Sequence, residues 1–257
     1  MKRTSRAVAV VAFGLLVLLP ISRGGGAGSV EVPAERWYLQ LHEGRPVGYV
    51  NVERLAGVDD SAEIIFKHEM FSNFDGKRIK RTVRTHCQND AYYFPVKATA
   101  LIDERGKGPA RVTATVEKKI PYGASKAKVG ITYRTGGNEY RLNRNIPENT
   151  VPGHLLIEII PLLPFQKGTV FQFNLFDLKK LSAKRRHKVE YMGREEVRID
   201  EESRRLHKFA HKGLGVKKTY YWVDDNHLVI GVSRGSKEEL LLSTEIEVSR
   251  IFPEAAR

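Results

Sequence analysis

The amino-acid sequence predicts a mainly β protein, an antiparallel meander of strands that forms a curved sheet with one short mid-chain helix as its cover or plug. Apolar and polar residues alternate with a period of two over most of the chain, as is typical of half-buried strands. Turn residues separate these runs at short intervals, and one segment has helical spacing instead. We expect about eleven or twelve strands, arranged as a sandwich or a barrel.

The composition excludes several classes of protein. The 257 residues are 41% hydrophobic and 28% charged, with one cysteine. The chain is too apolar for a disordered protein, and one cysteine excludes a disulfide framework or a cysteine-rich zinc module. Because 43 lysines and arginines outnumber 30 acidic residues, the formal net charge is +13, and an anionic partner is expected.

The N-terminus has the pattern of a secretory signal peptide over residues 1–27. A basic start precedes an apolar run over residues 7–19, which is shorter than the roughly 20 residues of a transmembrane helix. An uncleaved N-terminal anchor is the alternative. Cleavage after Ala27 removes four basic residues and no acidic residue, so the mature charge becomes +9. We expect export to the periplasm or cell envelope.

The exported chain is expected to hold one domain. Residues 28–36 form an extended lead-in, residues 37–252 a single β-rich domain and residues 253–257 a C-terminal tail. An exported protein rarely meets nucleic acid. Its expected anionic partners are lipid headgroups, cell-wall polymers or acidic proteins.

The first half of the domain is predicted to be a series of hairpins. Trp37, Leu39 and Leu41 share one face of the first strand, a turn begins at Glu43, and residues 47–55 return. Consecutive strands usually pair, so an antiparallel meander is expected. Further strands are expected over residues 63–71, 77–88, 91–101, 112–117, 128–134 and 139–145, with turns at 75–76 and 136–138.

One segment in the middle of the chain breaks the alternation. The apolar residues of this segment recur about every 3.6 residues, which predicts a short amphipathic helix. They are Leu155, Leu156, Ile159, Leu162 and Leu163. The apolar face of the helix needs a partner, and the open side of the curved sheet supplies one. Strands resume over residues 169–178, 188–192, 196–200, 205–212, 217–223, 228–233 and 240–252.

No catalytic motif is present, and the sequence predicts no enzyme, no cofactor and no metal site. Adjacent strand residues point to opposite faces, so His86 and Cys87 do not form a nucleophile–base pair, and Cys87 is expected in the core. His207 and His211 lie on one predicted strand at a separation of about 13 Å. We expect solvated histidines on polar faces, with metal binding as the alternative.

Two acidic pairs, Asp224-Asp225 and Glu195-Glu196, are the carboxylates to weigh for hydrolysis. A glycosidase needs two carboxylates that face one cleft. Both pairs lie at predicted turns or strand edges, where exposed residues are expected. An unrecognised hydrolase is therefore an alternative function, which requires convergent carboxylates or histidines in a cleft.

Two basic regions are candidates for contact with an anionic membrane or cell-wall surface. One is the polar face of the strand over residues 77–88, and the other is the densest basic run, expected as a loop over residues 179–188. Each basic residue near an anionic bilayer contributes about 1 kcal/mol, whereas a solvated loop that protects a sheet edge is the alternative. The candidates are Arg78, Lys80, Arg84, Lys179, Lys180, Lys184, Arg185, Arg186 and Lys188.

Some predicted strands are apolar on both faces, including residues 169–178 and 220–223. Such strands need cover on both sides. A helix or a lipid chain inside an incompletely closed barrel provides this cover, and a plain filled core is the alternative. The candidates for contact with a hydrophobic ligand are Trp37, Phe171, Phe173, Trp222, Leu155 and Ile159.

The order of several segments is similar to that in a known group of proteins. The similarity begins with residues 37–39 and 47–49, continues through the mid-chain helix and residues 171–177, and includes an expected hairpin over residues 189–197. It ends with the strand–turn–strand over residues 220–229. This order resembles bacterial secreted β-proteins of unknown function that are similar to the LolA/LolB-like lipoprotein carriers. The resemblance implies a curved, incompletely closed β-barrel with helical cover, an apolar ligand cavity and no catalytic residues.

These features favour an exported, non-enzymatic monomer. We expect it to bind a hydrophobic or amphipathic ligand, such as a lipid or a lipoprotein acyl chain, or the anionic envelope surface. An envelope scaffold that binds a protein partner is the alternative, and it requires an exposed apolar patch and no cavity. Whether the side chains of Arg81, His86 and Trp222 point into the barrel or outward would distinguish these hypotheses best.

Overall fold

The described part of the chain forms one fifteen-stranded sheet with two short helices. The computed structural model describes residues 33–56, 63–88, 95–105, 107–119, 126–147, 150–177, 182–199, 202–213, 215 and 217–256. The strands are β1 (Glu35–His42), β2 (Arg45–Ala56), β3 (Glu63–Phe74), β4 (Lys77–Gln88), β5 (Pro95–Glu104), β6 (Lys107–Lys119), β7 (Lys126–Thr135), β8 (Asn138–Pro147), β9 (Thr150–Pro152), β10 (Val170–Asp177), β11 (Ser182–Ile199), β12 (Glu202–Lys212), β13 (Thr219–Val223), β14 (Val229–Arg234) and β15 (Glu238–Ser243). The helices are α1 (Leu156–Ile159), between 3-10 turns at Gly153–Leu155 and Ile160–Leu162, and α2 (Glu245–Ile251), before a 3-10 turn at Pro253–Ala255.

The predicted signal peptide, residues 1–27, lies outside the described residues. The first strand begins at Glu35, just before the predicted start of the domain. Within the described ranges, no helix has the length and hydropathy of a membrane-spanning segment.

The strands follow one another around a barrel. Their order runs from β8 back to β1, continues to β15 and then back to β9. β1 pairs antiparallel with both β2 and β15, and the short parallel pair of β9 with β10 is the exception among the described pairs. The edge strands β8 and β9 are consecutive in the chain, so the sheet is a nearly closed barrel with one seam between them. The predicted antiparallel, incompletely closed barrel is confirmed.

Tight turns fix the register of the predicted hairpins. At Glu43-Gly44, Asp75-Gly76 and Gly136-Gly137, both central residues have positive φ. Two consecutive residues with positive φ make a type I′ turn, whose twist matches that of the flanking strands. These turns lie at one end of the barrel together with the turn between β14 and β15, because β1 and β15 pair antiparallel up to His42 and Glu238.

The mid-chain helix plugs the barrel, as predicted. The segment Gly153–Leu162 is almost completely buried, including Leu155, Ile159 and Ile160 at 0% exposure. These side chains share one core cluster with inward residues from β1 to β4 and from β10 to β14. A short helix with no polar face is stable only when packed on all sides, so the barrel wall stabilises it.

A second cluster fills the barrel interior under β4 to β8, where inward side chains pack against Phe176 of β10. Phe176 therefore brings the two sides of the seam together. Cys87, at 0% exposure, belongs to the core cluster around α1, as predicted.

The C-terminal segment differs from its prediction. Residues 240–252 were expected to be a strand, but the strand ends at Ser243 and α2 begins at Glu245. Thr244 starts the helix because its hydroxyl accepts the amide of Glu247, whose carboxylate accepts the amide of Thr244. This is a capping box. The helix covers Trp37 and neighbouring aromatic residues on the outer wall.

The expected hairpin over residues 189–197 is wrong, and the expected loop over residues 179–188 is wrong from Ser182 onward, while residues 179–181 lie outside the described residues. β11 runs without interruption from Ser182 to Ile199. Gly193, at φ +102°, accommodates a shift in the register with β12 instead of a chain reversal. A glycine inside a strand marks a bulge as readily as a turn, and pairing with β12 decides between the two.

Candidate functional site: the mouth of the barrel

A pocket of about 240 Å³ opens at the barrel end that carries the type I′ turns at Glu43-Gly44 and Asp75-Gly76. Six adjacent strands, from β14 through β15 and β1 to β4, form its wall. We call it the mouth pocket. Its lining residues are Gln40, Val50, Met70, Phe71, Ser72, Ile79, Arg81, Val232, Arg234, Glu238, Glu239 and Leu240.

Strand alternation explains why β4 contributes both apolar and polar groups to the barrel interior. Ile79, Arg81, Val83 and Thr85 point inward, because successive strand residues point to opposite faces. Arg78, Lys80 and the other even-numbered residues of this strand point outward, as the sequence predicts. Arg81 is therefore a cation on an otherwise apolar or neutral inner face.

Arg81 is an inward arginine on β4, at one side of this wall. Its Nε is buried without a hydrogen-bond partner, and it makes no ion pair with any carboxylate that the structure describes. Burial lowers the pKa of its guanidinium, and attraction to Asp177 and Glu104 partly offsets this effect. The guanidinium stays charged, because an arginine side chain is not deprotonated in proteins.

The charges at the rim are already compensated in part. The Glu238 carboxylate forms an ion pair with the Lys217 ammonium at 2.6 Å, and it lies 3.9 Å from the Arg234 guanidinium. These side chains are largely exposed, and exposed ion pairs contribute little to stability. Arg81 differs from Arg234 because it lies deeper and forms no ion pair with a described carboxylate, although Asp177 and Glu104 lie near enough to attract it.

Two histidines lie below the mouth pocket, between β3, β4 and the plug. The His154 ring hydrogen-bonds the Thr85 hydroxyl at 2.7 Å and packs edge-on against His68, with ring centroids 4.9 Å apart. Burial and nearby Arg81 lower the pKa of His154 to about 3. Burial lowers the pKa of His68 well below its usual value, and neither of its ring nitrogens has a hydrogen-bond partner. Both rings are therefore neutral at pH 7.

A buried ion pair ties the plug to the wall. The Arg36 guanidinium donates to the Glu158 carboxylate at 2.6 Å, and the two side chains are 3% and 5% exposed. Tyr38 lies beside the pair, and burial raises the pKa of its phenol. The charged residue that interrupts the apolar helix is thus the one that fixes the helix to β1.

The expectation of solvated histidines is wrong for His207 and His211. Both are buried, at 5% and 2% exposure. They share the inner face of β12, where His211 contacts His187 at 3.1 Å between ring nitrogens. Burial, with smaller effects of His187 and Arg234, lowers the pKa of His211 to about 4. The inner face of a barrel is enclosed, so polar residues there find partners from other strands.

His207 is the centre of a hydrogen-bonded row at the other end of the barrel. Its Nδ1 is 2.9 Å from the Tyr191 hydroxyl, and its Nε2 is 2.9 Å from the Asp225 carboxylate. Phe165 stacks on the ring at 3.8 Å between centroids. This row orients His207 at the rim of the barrel.

The acidic pairs lie apart from the mouth pocket. Asp224 accepts the amides of Asn226 and Leu228 and thereby fixes the turn, while Asp225 pairs with His207 and Arg194. The Glu195 carboxylate accepts from Lys208 and from the Trp222 indole, and Glu196 is exposed. No group of three or more metal-ligating side chains occurs among the described residues.

The six predicted ligand-contact residues do not line the mouth pocket. Leu155, Ile159 and Phe173 belong to the core around the plug, and Phe171 packs against it. Trp37 and Trp222 face outward, where Trp37 lies under α2 and Trp222 packs over β11, β12 and β14.

The outer basic face of β4 is present as predicted, and it continues across β5 and β6. A shallow groove of about 450 Å³ lies there, with Arg84, Lys97 and Arg111 among its lining residues. These three cations pair with no carboxylate in the described ranges, whereas Lys80 pairs with Glu69 at 3.0 Å. His86 also points into this groove, 3.7 Å from Glu63.

The remaining predicted cations divide into described and undescribed residues. Lys179 and Lys180 lie outside the described residues, as do the side chains of Lys184 and Arg185. Arg186 is exposed, and Lys188 pairs with Glu190 at 3.3 Å. Arg78 is exposed and lies over the Phe71 ring, 5.3 Å from its centroid.

Sequence reasoning missed the pocket lining, although one signal was present. Residues 79, 81, 83, 85 and 87 share one face of the predicted strand, where Ile79, Val83 and Cys87 are apolar, Thr85 is neutral and Arg81 is the single charge. A cation on an apolar strand face is the pattern that points to an interior polar site. The other lining residues come from six strands, and only their closure into a barrel brings them together.

Comparison with known proteins identifies no family. No family model and no curated protein matches the chain. A β-barrel-like protein of the domain of unknown function DUF1849 from Brucella abortus has a TM-score of 0.49 and 12% identity, over 82% of this chain and 95% of that chain. A DUF1089 family protein from Pseudomonas aeruginosa has a TM-score of 0.38 and 11% identity, over 72% of this chain and 89% of that chain. The description of the barrel therefore rests on this chain's own strand pairing.

Proposed function

We propose that this protein is an exported, non-enzymatic binding protein that holds a small hydrophobic or amphipathic ligand in the mouth pocket. The observation that carries the proposal is the pocket itself, which is open at one end of the barrel, while α1 and two core clusters occupy much of the remaining interior. Val50, Met70, Ile79 and Leu240 give it apolar walls. A concave apolar site with few polar groups is the usual form of a small-molecule site.

The size of the pocket limits the ligand. Its volume of about 240 Å³ exceeds the roughly 150 Å³ of an apolar cavity that takes up benzene. It is smaller than the roughly 300–1,000 Å³ of pockets for drug-sized ligands. The pocket therefore accommodates one short acyl chain or one end of a longer chain that projects from the mouth, not a whole diacyl lipid.

The binding test fills the pocket with a protein side chain. Ile79→Trp introduces an indole into the mouth pocket, and Lys80→Trp places the same group on the outer face one residue later. Calorimetric titration with octanol is expected to show binding to the native protein and to Lys80→Trp, and loss of binding in Ile79→Trp. Native mass spectrometry of protein purified from its own envelope should show a co-purified small amphiphile. Failure of the native protein to bind either octanol or an anionic eight-carbon amphiphile would overturn the proposal.

A second candidate function is docking on an anionic lipid bilayer through the outer basic groove. The unpaired Arg84, Lys97 and Arg111 carry this proposal, because cations without carboxylate partners are free to meet lipid phosphates. Each contributes about 1 kcal/mol near such a surface at moderate ionic strength. The groove lies on the opposite face of β4 from the mouth pocket, so the two sites are independent.

Vesicle flotation tests this second candidate. The double variant Arg84→Glu/Arg111→Glu is expected to lose binding to vesicles that contain phosphatidylglycerol, while Arg198→Glu, at an exposed position on β11, keeps it. Binding of the native protein should fall as salt is raised from about 0.05 M to 0.5 M, because screening shortens the Debye length. Equal binding to neutral and anionic vesicles would contradict the idea.

The pocket also bears on the other predicted functions. An envelope scaffold for a protein partner requires no cavity, so the mouth pocket favours the ligand-binding hypothesis over it. A hydrolase requires convergent carboxylates or histidines in a cleft. Asp225 instead pairs with His207 and Arg194 at the other end of the barrel, and Glu195 pairs with Lys208. The kinship with LolA/LolB-like carriers, the signal peptide and the non-enzymatic nature of the protein stay predictions.

A further inference from the structure

We infer that Arg81 selects a ligand with an anionic head group, a carboxylate or a phosphate ester, carried on a short apolar chain. This inference rests on the proposed function, since it concerns the same pocket. A purely apolar pocket would bind alcohols, amines and acids of the same chain length equally well, whereas this inference assigns a preference for the anion.

The first step of the argument is the hydrogen-bonding state of Arg81. Its Nε is buried and has no acceptor. A buried donor without an acceptor costs free energy that a bound ligand recovers when it supplies one. Among the pocket-lining side chains of the described residues, Arg81 is the one with such a buried unpartnered donor.

The second step is the chemistry of a guanidinium group. It offers five N–H donors in a planar fork and no acceptor. Carboxylate and phosphate oxygens match this fork with two parallel hydrogen bonds, whereas an alcohol makes one neutral bond and an ammonium ion is repelled. The pocket therefore discriminates by charge at Arg81 and by chain shape elsewhere.

The third step is the surroundings of Arg81. Val50, Met70, Ile79 and Val232 line the same pocket and provide no competing acceptor on their side chains. Below it, the neutral rings of His154 and His68 add no negative charge. Asp177 and Glu104 attract Arg81 from outside the pocket lining, but neither forms an ion pair with it among the described residues. The carboxylates on the pocket lining, Glu238 and Glu239, belong to β15, and Glu238 is held by Lys217.

The experiment compares three probes of equal chain length: octanoate, octyl phosphate and octanol. Calorimetric titration of the native protein is expected to give an affinity about tenfold or more higher for at least one anion than for octanol, since hydrogen bonds to charged groups contribute more than neutral ones. The relative affinities for octanoate and octyl phosphate show whether the pocket prefers a carboxylate or a phosphate ester.

The variant Arg81→Met removes the charge and keeps an apolar side chain. It should lose the preference for the anion and bind octanol as the native protein does. Arg234→Met is the matched control, because Arg234 lines the rim beside Glu238, and it should keep most of the preference. Should Arg81→Met fail to fold, Arg81→Lys keeps the charge without the fork, and it should lose most of the preference.

The outcomes separate the two proposals. Equal affinity of the native protein for octanol and both anions, or an unchanged preference in Arg81→Met, overturns this inference and leaves the ligand-binding function standing. Binding of none of the three probes overturns the proposed function as well. Preferential binding of octylamine would assign the selectivity to Glu238 and Glu239 and would also overturn the inference.

Discussion

Several ionisable side chains are buried together inside this barrel. Arg36, Glu158, His68 and His154 all lie between the wall and the plug. Burying an ion is costly unless it is paired, and burying a histidine favours its neutral form. The ion pair and the neutral rings are the two solutions that this interior uses. Both make stability sensitive to substitution and to pH.

The buried histidines should destabilise the fold in acid. The pKa of His154 is about 3 in the folded protein against about 6.5 in an unfolded chain. Its contribution to stability is therefore fully present above about pH 6.5 and is lost as pH falls toward the folded value. His154→Gln, which can still hydrogen-bond Thr85, should reduce the dependence of the unfolding free energy on pH by about 1.4 kcal/mol per pH unit between pH 6 and 4.

Urea unfolding at half-unit steps of pH measures this slope. The control is His42→Gln, at a half-buried position next to the Glu43-Gly44 turn. It makes the same imidazole-to-amide change at a position outside the buried histidine pair, and so shows what the substitution does apart from that pair. An identical slope in His154→Gln and the native protein would show that His154 takes up its proton without unfolding.

The Arg36–Glu158 pair should show strong coupling. Arg36→Met or Glu158→Met alone leaves one buried charge without its partner and is expected to cost about 3–5 kcal/mol. The double variant removes both charges and should cost much less than the sum of the two. Unfolding free energies of the four proteins give the coupling. Additive effects would show that the pair does not tie α1 to β1.

At the scale of secondary-structure elements, each helix covers a different side of the sheet. α1 is short and has no solvated face, so it depends on the barrel wall around it. α2 lies outside and shields Trp37 and Phe71 through Val248 and nearby residues. The predicted alternation of inward and outward side chains holds in the strands, because the pairing strands place the same faces toward the core. It fails at residues 245–251, where a cap and contacts with the outer wall select a helix.

Loss of the α2 cap should loosen this outer cover. Thr244→Ala removes the hydroxyl that accepts the Glu247 amide and is expected to cost about 1 kcal/mol. Thr244→Ser keeps an acceptor and should cost only a few tenths as much. The indole of Trp37 is nearly buried beneath the helix, so its fluorescence should shift to longer wavelength at lower urea in Thr244→Ala. If Trp37 fluorescence and global unfolding changed at the same urea concentration in both variants, the loss of the cap would not loosen α2 locally.

On the scale of the whole molecule, the seam is the weak line of the barrel. β8 is an edge strand with mostly exposed side chains, whereas β1 and β2 lie in the middle of the sheet order. Local opening starts where few buried contacts hold an element. Hydrogen exchange should therefore be fastest in β8 and slowest in β1 and β2. Equal protection of β8 and β2 against exchange would contradict this expectation.

The sequence determined the alternation, the turns and the mid-chain helix, because these depend on neighbours within a few residues. Glu43-Gly44 and Asp75-Gly76 form the expected turns, and Cys87 lies in the core. The sequence did not determine which inner-face positions would meet. His207 and His211 found buried partners from other strands, and Gly193 became a bulge because β12 pairs on both sides of it.

The mouth pocket was decided by the tertiary structure alone. Its wall combines residues separated by up to about two hundred positions, from Gln40 to Leu240, and they become neighbours only because β15 pairs with β1. Arg81 could be recognised in the sequence as a charge on an apolar strand face. Closure of the sheet then enclosed that face, since the edge strands β8 and β9 approach each other, and it left this cation buried beside an open apolar pocket.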